Sequence, residues 1–277
     1  GASFGDGLCT ATSATFVTGL VLHDTGLYWA PFGQLVILLL IQVGGMGVVT
    51  IAGAIFMFAG KRIGLKQRWV MQESISAPQV GGIVRMTGFI LKTAFLIEGV
   101  GVLLLALRFC PQFGLGRGLW YAVFHSVSAF CNAGFDLMGV NSPFSSLTDY
   151  VGDPLVSNVI AFLIIIGGVG FLTWNDIREH KLHFRRYRLQ SKLILTTTLA
   201  LILTGLLFFL LYEFEQGQWV DMSLWERINA AFFQSVTPRT AGFNTVDLTG
   251  LSQPAQLLII LMMLVAGSPG STAGGFT

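Results

Sequence analysis

Three short apolar runs, each ending in a glycine loop, constrain this chain more than any other feature. The central run, Ala122 to Leu137, reads AVFHSVSAFCNAGFDL and breaks into small residues at Cys131-Asn132-Ala133-Gly134 before turning polar at Asp136. Its relatives are LCTATSATFVTGL at Leu8 to Leu20 and AAFFQSVTPRTAGFNTV at Ala230 to Val246. In each, the glycine follows a hydroxyl residue by five or six positions: Ser13 to Gly19, Ser128 to Gly134, Thr237 to Gly242. The glycines recur 115 and 108 residues apart, the mark of one unit used repeatedly. A bilayer crossing needs about 20 apolar residues, so each run is too short to span, yet the second and third lie between segments that reach that length and the first precedes one. That arrangement predicts a re-entrant half-helix with a loop at membrane depth. Exposed amides there cost several kcal/mol each unless protein buries them or they line a water-filled path. The pattern therefore predicts a pore.

The composition agrees: 53% of residues are hydrophobic, 11% are charged and the mean hydropathy is +0.71, whereas a soluble domain carries about 25% charged residues. Spans are predicted at Phe32 to Phe58, Thr87 to Leu107, Leu155 to Thr173 and Leu193 to Leu211, with a fifth starting at Ala255 to Gly267. Between them, Leu119 to Gly134 and Leu224 to Gly242 form the second and third re-entrant units. Cys9, Cys110 and Cys131 show no metal-site spacing and no disulfide framework. The net charge of +2 gives no case for a nucleic-acid partner.

Topology follows from where the charge sits. Residues 61–85 and 178–192 hold eleven of the sixteen Lys and Arg residues, which marks them as cytoplasmic. The three glycine loops then enter from the outside. Each unit reads as helix, pore helix, loop, helix, in the orientation of a cation channel's filter. The expected filter backbone comprises Thr15, Phe16, Val17, Thr18 and Gly19; Cys131, Asn132, Ala133 and Gly134; and Thr240, Ala241 and Gly242. A dehydrating alkali cation needs oxygen dipoles in place of its water shell, and consecutive carbonyls supply them. Small residues also permit close helix packing, which is the bland reading of one such loop. Three copies at one topological position favour the filter.

The ends of the following helices align internally as VGGMGVVT from Val43, IGGVGFLT from Ile166, and VAGSPGSTAGGFT from Val265. The third is longer and more polar, so Gly267, Ser268, Pro269, Gly270, Ser271, Thr272, Ala273, Gly274 and Gly275 read as an intramembrane gate loop. As a phosphate-binding loop it lacks the required lysine. Glu98 lies inside the second span, where an ionisable group is either functional or a buried helix contact; the contact is the reading taken here. His125 reads as a packed histidine, and Arg239 as a cation that points away from the path and braces its loop. A secondary transporter of a small solute with a midplane site on broken helices is the competing function. An enzyme using His125 with Cys131 or Ser128 finds no compelling spacing, and the chain reads as non-enzymatic.

With TATSATFVTGL at Thr10, FGQLVILLLIQVGGMG at Phe32, FHSVSAFCNAGFDL at Phe124, SVTPRTAGFNT at Ser235 and GSPGSTAGG at Gly267, the chain resembles the Trk/Ktr/HKT superfamily of potassium transporters, and most the KtrB-type translocating subunit. The resemblance implies an all-α membrane protein of tandem repeats around a central pore, with filter glycines at Gly19, Gly134 and Gly242. It divides the chain into repeat 1 at 1–60, a cytoplasmic linker at 61–86, repeat 2 at 87–174, a linker at 175–192 and repeat 3 at 193–277. The first outer helix and the fourth repeat of such a protein are not in this sequence, which reads as part of a longer chain. The resemblance also implies K+ as the transported ion, Na+ as a coupling ion and no organic cofactor. Its implied partners are membrane lipid, a second copy in a homodimer and a cytosolic nucleotide-binding regulatory ring of KtrA/TrkA-like subunits. Its implied location is the bacterial plasma membrane.

Overall fold

The computed structural model describes residues 3–47, 50–51, 55, 64, 69–72, 83–140, 142–181, 183–214, 217–265 and 267–273. Among these residues the fold is all-helical. In chain order the helices are α1 (Phe4–Thr15), the single turn α2 (Thr25–Tyr28), α3 (Pro31–Met46), α4 (Ile83–Phe113), α5 (Leu115–Phe130), α6 (Pro154–Val169), α7 (Phe171–His180), α8 (Leu189–Phe208), α9 (Leu224–Val236) and α10 (Gln253–Leu264). Helix α8 runs on through a π-helical turn at Phe209–Glu213. The segments Val84–Phe113 and Leu189–Glu213 are long and apolar enough to cross a membrane, and the bent pair α6–α7 makes a third candidate.

Start and stop signals explain the boundaries. Helices α3, α6 and α10 each carry proline in the first two positions (Pro31, Pro154, Pro254), where a missing N–H costs nothing. Asp153 and Ser252 cap α6 and α10 through their side chains. Helices α1 and α9 open on capping boxes, Ser3 with Asp6 and Ser223 with Glu226, which satisfy otherwise orphaned amides at one end. The expected span Phe32 to Phe58 stops early as a described helix: α3 ends at Gly47, whose φ is +81°, and most of residues 48–60 lie outside the described set. The expected span Leu155 to Thr173 is broken at Gly170 (φ +93°), where α7 turns 93° away from α6.

Helix α5 is the centre of the packing. It lies against α3, α4 and α6, and from Tyr121 to Phe130 every residue but Val123 is buried. A helix buried all round fits the interior of a bundle. Its Phe124 and Phe130 join Phe109, Ile160 and Ile164 in one core that extends to Ala14 of α1 and Val236 of α9. Lipid is as apolar as leucine, so close fit rather than escape from water holds such a core together. The outward faces of α4 and α8 show Leu96, Leu103, Leu107, Leu193, Leu203 and Leu211, the surface that hydrocarbon would cover.

Candidate functional site

Helices α1, α5 and α9 all end at a glycine loop, and the three loops have the same backbone pattern. Val17 and Gly19 have φ of +55° and +73°, Asn132 and Gly134 +56° and +71°, Thr240 and Gly242 +58° and +80°. Two left-handed residues separated by one ordinary residue thus recur three times. Left-handed backbone is uncommon for asparagine and a genuine outlier for valine and threonine, so each loop is held by its surroundings. The hydroxyl residue at the helix end does part of the holding. Ser128 Oγ donates to Phe135 O at 2.6 Å, and Thr237 Oγ1 donates to the matching Phe243 O. In the first loop Ser13 Oγ instead pairs with Thr18 Oγ1 at 2.9 Å.

The loops meet in order. A Cβ placed on Gly19 would lie 2.7 Å from Ala133 O, and one placed on Gly134 would lie 2.7 Å from Ala241 O. One on Gly242 would stand 3.0 Å from the Gly134 Cα. Gly19 and Gly134 thus each face the carbonyl of the next loop, as rotation about a common axis would place them, and Gly242 faces back to Gly134. The helix C-termini that feed the loops each carry roughly half a negative charge, a field that favours a cation at the convergence. The Thr15 carbonyl also packs close to α3: a Cβ added on Gly44 would lie 2.0 Å from it. The matching Phe130 O meets Gly167 of α6 at the same spacing. Phe16 is largely exposed.

Beneath the second loop sits Gly267–Ala273; Gly274 and Gly275 lie outside the described residues. Gly270 has φ +65°, matching Gly47 and Gly170 after the other two inner helices. Gly270 O accepts from Phe171 N at 2.9 Å, and Thr272 N donates to Gly167 O at 3.3 Å, which ties the loop to both sides of the α6–α7 break. Thr272 Oγ1 donates to Phe130 O at 2.9 Å and lies 3.3 Å from Asn132 Oδ1. Ser271 Oγ closes the turn internally on Ser268 O at 2.7 Å. Asn132, wholly buried, also donates from Nδ2 to Arg239 O at 2.8 Å, so one side chain joins the second loop, the third loop and Thr272.

The remaining singled-out residues take structural places. Glu98 is buried with Gln42 Nε2 at 3.0 and 3.3 Å from its two carboxylate oxygens, a contact between α3 and α4. His125 packs edge-on to Phe109 and Phe124 and tilted against Tyr121, with Nδ1 2.7 Å from Tyr121 O and Nε2 accepting from Leu137 N. Arg239 is 3% exposed and braces the neighbouring repeat rather than its own loop, through Nη2 to Gly168 O at 3.4 Å. Sequence reasoning missed Asn132 as a junction and Thr272 as the loop's anchor. The one available signal was that Asn132 tolerates left-handed backbone better than its counterparts Val17 and Thr240.

The profile of the TrkH family, described as cation transport protein, matches residues 2–277. The chain is 41% identical over 271 residues to the Ktr system potassium uptake protein B of Bacillus subtilis, covering 98% of this chain and 60% of that protein. It is 39% identical over 272 residues to the potassium/sodium uptake protein NtpJ of Enterococcus hirae, covering 98% of this chain and 59% of that one. It thus spans about 60% of the length of these curated relatives. Its fold is similar to the crystal structure of the potassium transporter TrkH from Vibrio parahaemolyticus, with a TM-score of 0.71 at 20% identity over 99% of this chain and 52% of that chain. The chain belongs to the TrkH family of cation transport proteins, within the Trk/Ktr/HKT superfamily and close to its KtrB-type subunits.

Proposed function

We propose that this chain is the larger part of the ion-translocating subunit of a potassium uptake system. The observation that carries the proposal is the threefold recurrence of one strained loop backbone, with each glycine packed against its neighbour's carbonyl or Cα. Carbonyls of Thr18, Ala133 and Ala241, each just before the glycine, replace the hydration shell of K+ as it enters. The relatives' names support potassium as the ion, and the potassium/sodium uptake protein supports Na+ as a coupling or second ion. Repeats 1–60, 87–174 and 193–277 surround one pore, completed in the full-length parent by a fourth repeat.

The filters face outward and the basic stretches 61–85 and 178–192 face the cytoplasm of the plasma membrane. Gly267–Gly275 is the gate: with Thr272 docked on Phe130 and Asn132 it closes the path below the filter, and with Thr272 undocked it opens it. The parent dimerises in lipid and sits on a cytosolic nucleotide-binding ring, which reaches the gate through α7. The solute-transporter reading is weaker, because the three units share one orientation. The test is uptake of labelled rubidium by potassium-uptake-deficient cells carrying the full-length parent. Saturable uptake that potassium inhibits is expected; uptake equal to that of empty cells would overturn the proposal.

A further inference from the structure

We propose that Asp176, Glu179 and His180 bind a divalent transition-metal cation at the end of the helix that anchors the gate loop. The three residues stand three and four positions apart on α7, so they share one helix face. One ligand atom from each lies within 4.8 Å of the other two. Ligands on opposite sides of one divalent ion, bonded at about 2.0–2.4 Å, span no more than about that distance.

Two buried atoms of these side chains have no hydrogen bond, where buried polar atoms almost always have one. Asp176 is fully buried; its Oδ2 accepts from Ser191 Oγ at 2.6 Å and Arg188 N at 3.1 Å. That explains Oδ2 as a tie to the first turn of α8. It leaves Oδ1 without a hydrogen bond, its nearest cation the Arg188 Nε at 3.5 Å. His180 Nδ1 is likewise buried with no hydrogen-bond partner. A carboxylate oxygen and an imidazole nitrogen without hydrogen bonds, in side chains whose ligand atoms converge, are what a metal ion satisfies, the ion taking the place of Arg188 at Oδ1. Glu179 is exposed, with Oε1 held by Asn175 Nδ2 at 2.9 Å, and provides both the third ligand and the way in. One imidazole with two carboxylates selects Mn2+, Fe2+ or Zn2+ over Mg2+ or K+. Arg188, whose side chain is half exposed, yields Oδ1 and swings into solvent when the ion arrives.

Binding would clamp the last turn of α7, whose Asp176 Oδ2 already ties it to the start of α8, and α7 begins at Phe171, which holds Gly270. The effect on transport rests on the gate reading; the binding does not. The test uses the full-length parent, stripped with chelator and titrated with Mn2+ under electron paramagnetic resonance. One saturable ion per chain is expected, with affinity reduced about tenfold or more in His180→Ala and unchanged in His183→Ala. Because Asp176 also caps α8, Asp176→Asn is not the deciding variant; Glu179→Gln is the second, and weakens binding without touching that cap. No saturable site below about 1 mM, or a site that survives His180→Ala, overturns the proposal. Mn2+ binding that alters rubidium flux supports the link to the gate. Binding with unaltered flux keeps the site and overturns only that link.

Discussion

Replacing Gly134 by serine in the full-length parent should damage ion preference more than the same change at Gly242. At Gly134 the φ of +71° costs an L-residue about 1–2 kcal/mol. The new Cβ would also stand 2.7 Å from Ala241 O and 2.9 Å from Gly242 Cα, both backbone atoms that cannot rotate away. Relief requires the third loop to move, and with it the Ala241 carbonyl that we assign to the ion. Backbone strain alone corresponds to about a tenfold change in an equilibrium, so the apparent affinity for potassium should fall at least about that much, with sodium discriminated less. At Gly242 the nearest atom is Gly134 Cα at 3.0 Å, and no carbonyl is struck. The control is Gly116→Ser, where an added Cβ meets nothing within 4 Å. Rubidium uptake against concentration, with and without competing sodium and normalised to membrane abundance, reads all three. Wild-type affinity and ion preference in Gly134→Ser, at equal abundance, would refute the filter assignment.

Four further outcomes are expected. Thr272→Val removes the bond to Phe130 O, about 0.5–1.5 kcal/mol of the docked loop, and should raise maximal flux up to about tenfold; a change in ion preference at constant flux would move Thr272 into the filter. Gln42→Leu strips Glu98 of its amide donor, costing about 1–3 kcal/mol of stability. Thermal unfolding should show the loss, and Glu98→Leu in the same background should recover part of it. Asp136, in the loop after the second filter, has its carboxyl raised to about 6 by burial, with Asp24 adding to the rise and the Met138 N–H opposing it. The neutral acid therefore favours the folded state, a contribution full below about pH 4 and lost as pH rises through about 6. Stability measured across that range should fall with pH, and Asp136→Asn should flatten the slope. Arg185→Ala with Arg186→Ala should loosen co-purification with the regulatory ring; retention at wild-type level would assign these cations to anionic lipid instead.

Much of the architecture was legible because the chemistry of membrane insertion is severe. Runs too short to span, placed between runs that do, leave few arrangements, and Pro31, Pro154 and Pro254 mark where the inner helices begin. The alignment of Gly47 with Gly170 was visible in sequence, and both are left-handed breaks; Gly270, one position further along the longer third copy, makes the same break. What was not legible depends on contacts between distant segments. Nothing near Val17 or Thr240 announces left-handed backbone, since β-branched residues avoid it and only the assembled loop enforces it. Asn132 reads as a loop residue until Arg239 O and Thr272 arrive, 107 and 140 positions away. Glu98 showed no partner in sequence because Gln42 stands 56 residues earlier on another helix. The close approach of the Thr15 carbonyl to Gly44, which only glycine permits, likewise joins segments that lie apart in sequence.

The most direct measurement is anomalous scattering from the full-length parent crystallised with thallium in place of potassium. An ion between the three loops, ringed by the carbonyls of Thr18, Ala133 and Ala241 and reduced when sodium replaces potassium in competition, is the predicted result. Thallium bound elsewhere in the membrane region, with no density at the convergence of Gly19, Gly134 and Gly242, would contradict it.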